Sequence, residues 1–402
     1  MSIERIIERC EALYGDLDLS YVREFKKEHH VKAIGFMPVY VPREIIHAAG
    51  MLPVGLMGAG SALEIIKGDS YFQSYICHIP RSTLDLGLNN RLDPIDGFLF
   101  PAICDVIRNL SGMWKILFKD KYVKYIDFPQ NFKEGIGGDF YRSEIKELFD
   151  DISALSGHSP SPGELNSSIE KYNENRRALG RLYALRAEKP NLVPTHELYL
   201  LLRASNVMEV TEHTSLIDEY LAKVVRKVRP IRDNIKVVLT GAFCEQPPLT
   251  LIRAIETSGC QIVEDDWVLG ARFILGDVEI TDDPVKALSD AYLKNTVRTA
   301  SKFEDDGEKG RFLVEQVRRL GAEGVIFAAP SFCDPALLER PMLQDVLNKE
   351  KIPYTSFQYS ENTGQFDVMK EQTGTFADSI KLWLIFYSQT PFLGGQAFET
   401  LN

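Results

Sequence analysis

Short apolar runs alternate with amphipathic stretches toward both ends of the chain, and a purely helical pattern lies between. Residues 31–37, 51–57, 97–100 and 123–127 are brief apolar runs that predict strands, and residues 42–50 and 77–89 between them predict helices. This rhythm is that of a parallel sheet covered by helices. Near residue 160 the period changes. Leu165, Ile169, Tyr172, Leu179, Leu182 and Tyr183 keep close to 3.6 residues per repeat. They follow Ser161-Pro162-Gly163-Glu164, a capping box with proline at the first helical position. That helix is expected to stop before Pro190. Two more are expected over 196–207 and 215–228, the latter with Ile217, Leu221, Val224 and Val228 on one face. Strands then return at 235–240, 261–263, 324–329 and 354–357, with a helix at 249–258. The expected fold class is α/β with two parallel-sheet domains. Residues 1–150 form the first, 151–233 a helical connector and 234–402 the second.

The second sheet region repeats the first. Asp96-Gly97-Phe98-Leu99-Phe100-Pro101-Ala102-Ile103-Cys104-Asp105 matches Glu323-Gly324-Val325-Ile326-Phe327-Ala328-Ala329-Pro330-Ser331-Phe332-Cys333-Asp334, with two more residues before the second cysteine. Pro42 with Ile45-Ile46-His47-Ala48 is echoed more weakly by Pro248 with Leu251-Ile252-Arg253-Ala254. Both matches predict an internal duplication.

Composition narrows the class. A chain of 402 residues with 45% hydrophobic and 26% charged positions is globular, with ample material for a core. A net charge of -11 without clustered Lys and Arg argues against a nucleic-acid surface. The first residues alternate charged and apolar side chains unlike a signal peptide, and no apolar stretch approaches the roughly 20 residues of a membrane span. A cytoplasmic protein is expected. In that setting six cysteines suit thiol or metal roles better than a disulfide framework.

Cys77, Cys104 and Cys333 each fall where a strand or turn gives way to a helix. Cys104 and Cys333 lie at the carboxyl ends of strands, where open α/β sheets bind ligands. Cys77 lies 27 positions before Cys104 and Cys104 lies 229 before Cys333, so no C-x-x-C signature is present. Each is either a buried structural thiol or one of three ligands gathered by tertiary folding. Three thiolates suit an iron–sulfur cluster with one iron lacking a cysteine, because cubane clusters normally take four; zinc is the rival metal. Cys10, Cys244 and Cys260 share no such context.

Other motifs carry double readings. Gly55-Leu56-Met57-Gly58-Ala59-Gly60-Ser61 is a phosphate-facing loop or a tight turn, and it lacks the Gly-Lys-Ser/Thr ending of a P-loop, so no nucleotide hydrolysis is expected here. Glu245, in Phe243-Cys244-Glu245-Gln246-Pro247-Pro248, is a proton-transfer candidate or a helix-start carboxylate. His78 is a proton donor beside Cys77 or a helix-start polar residue, and His47 reads as structural. Tyr359-Ser360-Glu361-Asn362-Thr363-Gly364-Gln365 is a cleft wall or an ordinary turn. Arg43, Arg81 and Arg108 are candidates for a cationic patch facing phosphate groups.

Several of these stretches together resemble the 2-hydroxyacyl-CoA dehydratase and benzoyl-CoA reductase subunit family. They are Tyr40-Val41-Pro42-Arg43-Glu44 with Ala48-Ala49-Gly50, Tyr75-Ile76-Cys77-His78-Ile79-Pro80-Arg81-Ser82, Phe100-Pro101-Ala102-Ile103-Cys104-Asp105 and Ser331-Phe332-Cys333-Asp334-Pro335. Residues 243–248, 361–365 and 374–383 look most like the C-type subunits of the ATP-dependent benzoyl-CoA reductases within that family. The resemblance implies two flavodoxin-like or Rossmann-like domains related by duplication. It also implies a [4Fe-4S] cluster on Cys77, Cys104 and Cys333, the trio singled out above. As partners it implies a paralogous B-type subunit, a separate ATPase subunit pair and ferredoxin as electron source. The expected reaction is reduction of benzoyl-CoA to a cyclic dienoyl-CoA. The alternatives are a 2-hydroxyacyl-CoA dehydratase subunit working through a ketyl radical, and a noncatalytic cluster-carrying scaffold.

Overall fold

The computed structural model describes residues 1–37, 39–241, 247–267, 269–300, 302, 308–360 and 366–389. The chain begins with α1 (Ile3–Gly15) and α2 (Ser20–His29). It continues through β1 (Ala33–Phe36), α3 (Arg43–Ala48), β2 (Leu52–Gly55), α4 (His78–Leu88), β3 (Gly97–Pro101), α5 (Asp105–Leu117) and β4 (Tyr122–Ile126). Four helices follow in succession: α6 (Asp139–Ser156), α7 (Pro162–Glu188), α8 (Thr195–Ala204) and α9 (Val210–Val224). The second half holds β5 (Ile235–Thr240), α10 (Leu249–Thr257), β6 (Cys260–Asp265), α11 (Leu269–Arg272), α12 (Pro284–Asn295) and α13 (Glu308–Leu320). It ends with β7 (Gly324–Pro330), α14 (Asp334–Lys349), β8 (Tyr354–Tyr359) and α15 (Phe366–Gln389). No helix among the described residues is long and apolar enough to cross a membrane.

The strands form two four-stranded sheets, ordered β2-β1-β3-β4 and β6-β5-β7-β8, and every pairing is parallel. The two orders are the same order, as the sequence repeat predicts. In each sheet the chain reverses its direction of travel between the first and third strands, which creates a crevice at their carboxyl ends. β3 and β7 are buried along their whole length, which explains why they read as continuous apolar runs instead of alternating ones. The two extra residues of the second copy lengthen the strand itself: β7 has seven residues and β3 five. Beyond the strand the spacing is identical, Pro101-Ala102-Ile103-Cys104 against Pro330-Ser331-Phe332-Cys333. Ala102 N–H donates to the last residue of β4 (Ile126 O, 2.9 Å), and Ser331 N–H donates to the last residue of β8 (Tyr359 O, 2.7 Å).

α7 joins the two sheets. Its capping box is formed, with Ser161 and Glu164 bonded reciprocally and Pro162 at the start, and at 27 residues it spans about 40 Å. Near its beginning Ser168 Oγ donates to Glu44 O (2.9 Å), and at its middle Arg176 pairs with Glu44 (2.6 Å), together fixing α3. Asn173 holds Val278 by both of its backbone groups (2.9 and 2.8 Å). Near its end Tyr183 Oη and Arg186 donate to the two oxygens of Asp265 at the end of β6 (2.8 and 2.6 Å). Arg186 and Asp265 have fully buried side chains. The halves also interleave: α1 buries Ile3, Ile6 and Cys10 in the core of the second sheet, and α12 places Tyr292 in the core of the first.

One periodic extrapolation fails. α9 ends at Val224 and Val228, expected on its buried face, is 96% exposed. Pro230 lies two residues further on, and the residue preceding a proline is steered away from helix.

Removing one member of a buried ion pair strands the other charge. Asp265→Ala is therefore expected to lower the unfolding free energy by about 3–5 kcal/mol in chemical denaturation; a loss below about 1 kcal/mol would show that the pair is not structural. His213 of α9 is buried, bonded to Asn175 (2.8 Å) and to Leu201 O (2.9 Å). Burial pushes its imidazole down to about 4 from an ordinary 6.5. Below pH 6.5 the unfolded chain takes the proton and the folded chain does not. Stability should therefore be full above that pH and fall, by up to about 1.4 kcal/mol per pH unit, as the pH drops toward 4. Urea midpoints from pH 7.5 to 4 should decline less steeply in His213→Gln than in the parent.

Candidate functional site

The crevices of the two sheets open into one cavity of about 290 Å³ that has Cys77, Cys104 and Cys333 in its wall. Each cysteine is the N-cap of a helix: Cys77 of α4, Cys104 of α5 and Cys333 of α14. N-caps favour Ser, Thr, Asp and Asn, whose oxygens accept from the first-turn amides. Here each of the three N-caps carries sulfur in place of that oxygen, whereas α7 begins with an ordinary Ser161 cap. Three thiols stand at positions that ordinarily favour oxygen. Three positive helix ends also point toward one space, a setting that favours bound negative charge.

Burial pushes the Cys104 thiol up, the amides of Val106 and Ile107 oppose the rise, and Cys333 adds to it. The last effect shows that thiols from the two sheets are near enough to interact. Among the described residues no three His, Cys, Asp or Glu side chains are arranged to hold a single metal ion. Cys77, Cys104 and Cys333 all contribute to the wall of the one chamber. The remaining wall is largely apolar, with Met37, Ile79, Ile103, Ile107 and Leu338.

The loop before α4 is built to hold Cys77 in place. Gly58 has φ +66°, and a Cβ there would sit 2.4 Å from Ser82 Oγ on α4. Ser82 Oγ in turn accepts from Ala59 N–H (3.2 Å) and donates to Ile79 O (3.2 Å). The glycine-rich stretch is thus a tight turn packed on α4.

Other sequence candidates separate. His78 is buried immediately after Cys77, and the cavity wall is contributed by its neighbours Cys77 and Ile79. His47 is structural, bonded to Ser168 (2.9 Å) and edge-on to Tyr172. Cys10 and Cys260 are buried core thiols, each pushed up to about 12 by burial. Arg43 is buried, donating to Ser205 O (3.3 Å) above the Tyr172 ring, and so is withdrawn from any surface patch. Arg81 is engaged with Asp69 (2.7 Å), and Arg108 is exposed in the first turn of α5. Glu245, Cys244 and residues 361–365 lie outside the described residues.

Sequence reading missed Phe332, which enters the wall with φ +65°. Cys333 N–H donates to Pro330 O (3.1 Å), closing a turn over residues 330–333. A positive φ at its third position alone is the type II signature, which calls for glycine or asparagine. A phenylalanine held there costs about 1–2 kcal/mol. No feature of the string Pro-Ser-Phe-Cys announces such a turn.

The sequence profile of the 2-hydroxyglutaryl-CoA dehydratase D-component matches residues 38–380. The chain is 54% identical over 385 residues to the C-type subunit of benzoyl-CoA reductase from Thauera aromatica, covering 95% of this chain and all of that protein. It is 29% identical to the β subunit of (R)-2-hydroxyglutaryl-CoA dehydratase of Acidaminococcus fermentans, over 87% of this chain and 92% of that one. With the β subunit of lactoyl-CoA dehydratase of Anaerotignum propionicum the identity is 26%, over 89% and 94%.

Proposed function

Because this chain belongs to the family of the 2-hydroxyglutaryl-CoA dehydratase D-component, we propose that it is the C-type subunit of an ATP-dependent benzoyl-CoA reductase, holding a [4Fe-4S] cluster on Cys77, Cys104 and Cys333. Identity of 54% with a reductase subunit, against 29% and 26% with two dehydratase β subunits, favours the reductase branch. The observation that carries the ligand assignment is the meeting of three N-cap cysteines, from both sheets, in one cavity. The donor set fits the group: soft sulfur ligands, an apolar wall and three helix N-termini to offset thiolate charge. When bound, such a cluster supplies single electrons at low potential.

The chain's own residues would prepare the site for that chemistry. Adding an electron to an aromatic ring destroys its resonance, so the reaction needs surroundings that keep water from the reduced ring until it is protonated. Ile79, Ile103, Ile107 and Leu338 give the cavity that character. His78 and Glu245 remain our candidates for moving protons. The glycine stretch lacks the Gly-Lys-Ser/Thr ending of a P-loop, in line with nucleotide hydrolysis by a separate ATPase pair fed by ferredoxin. A paralogous B-type partner would complete the module.

The dehydratase relatives favour one second reading, in which a 2-hydroxyacyl-CoA loses water through a ketyl radical and ATP is needed only to prime the enzyme. The two separate in the anaerobically purified complex. Loss of the ultraviolet aromatic band of benzoyl-CoA with dithionite, requiring ATP throughout, is the expected result. Conversion of a 2-hydroxyacyl-CoA after brief ATP priming, with the aromatic band intact, would move the chain to the dehydratase branch. Cys104→Ser, Cys77→Ser and Cys333→Ser in the intact complex should each lower its iron content and abolish ring reduction. Unchanged iron in all three would remove the ligand assignment.

A further inference from the structure

Six described residues other than glycine have positive φ: Leu19, His30, Tyr40, Asn90, Phe332 and Lys351. His30, Asn90 and Lys351 follow the ends of α2, α4 and α14, where a left-handed residue is an ordinary helix stop. Leu19 is half-buried at the start of α2, and Tyr40 is buried with its ring edge-on to Phe128, Phe273 and Tyr292. Their surroundings compensate the backbone cost. Phe332 is different, because its side chain is 50% exposed while its backbone is strained. The first copy makes a different turn, closed one residue earlier and without that strain. At the equivalent place before Cys104, Ile103 has an ordinary φ and is only 7% exposed, with its N–H donating to Pro101 O (2.8 Å). The same Pro-x-x-Cys segment can therefore pass from strand to helix with its third side chain buried. The second copy instead presents a large apolar ring at the cavity, next to Leu338, which is 80% exposed one turn into α14.

We infer that Phe332 is a positioning residue that shields the three-thiol cavity from solvent, and that its left-handed turn is retained because it sets the ring across the cavity rim. The inference deepens the reading of that cavity as a cluster site and rests on it. Strain in a turn persists where the strained geometry serves a site, and a ring over soft ligands limits the access of water, oxidants and chelators. Glycine at 332 would relax the turn and open the rim. Asparagine would tolerate the turn and replace the apolar ring with a small polar group, while leucine would keep apolar cover.

The test uses the full complex with Phe332→Gly, Phe332→Asn and Phe332→Leu, its fold checked by circular dichroism. Three readouts are taken: iron release to a ferrous chelator, alkylation of Cys77, Cys104 and Cys333 by iodoacetamide after chelation, and the thermal midpoint. Shielding predicts several-fold faster iron release and alkylation in the glycine and asparagine variants, a smaller change with leucine, and a raised midpoint with glycine. Rates equal to the parent's in both the glycine and asparagine variants would overturn it, whatever the midpoint does. Faster alkylation in a complex whose parent holds no iron would sustain the shield and sink the cluster reading instead, so the two failures are distinguishable.

Discussion

Cys104 and Cys333 stand at the ends of strands in separate sheets, so their shared cavity exists only while the sheets keep one relative position. α7 supplies that constraint through buried charge and not through apolar packing alone. Its middle grips Glu44 with Arg176, and its last turn seats Arg186 on Asp265. Buried pairs of this kind add little net stability because desolvation offsets their attraction, but they are intolerant of displacement. A rigid helix pinned at its middle and at its end by such pairs acts as a spacer of fixed length between them. The interleaving of α1 with the second core and α12 with the first works in the same direction.

Given that frame, the local design of the cavity follows from parallel-sheet geometry. Strand carboxyl ends face the crevice, and the chain leaves each strand into a helix whose N-terminus faces it too. A cysteine at the N-cap therefore inherits two properties at once: a place on the crevice wall and a position at the positive end of a helix. Cys77 reaches the same wall by a different route, from a long loop steadied by Gly58 and Ser82. The apolar residues two or three places after each cysteine, Ile79, Ile107 and Ala336, are buried because they lie in the first turn, facing inward.

Much of this was legible from residue order. Fully buried strands announce themselves as apolar runs, and Ser161 to Glu164 marked the start of α7 because capping chemistry is local. The pairing of Cys104 with Cys333 was visible as a repeated strand ending in Cys-Asp. What escaped was decided at long range or against residue preference. Arg43 was read as a surface cation, yet Tyr172 and Ser205, far along the chain, enclose it. Val228 continued the period of α9 after the helix had ended. The turn at Phe332 was invisible because phenylalanine is among the last residues a type II turn would select. The two additional residues of the second copy were counted correctly from sequence, but only the pairing with β8 shows that they lengthen a strand and leave the Pro-x-x-Cys segment intact.

The identical strand orders of the two sheets bear on the number of thiols. Two separate copies of one half, related by a two-fold axis, contribute every side chain twice and so offer ligands in even numbers. Joining the halves in one chain removes that restriction, and the sequence has used the freedom: the segment between Cys260 and Cys333 contains no counterpart of Cys77. The shared chamber thus receives two thiols from one half and one from the other. An odd set of thiols is a composition that only broken symmetry allows.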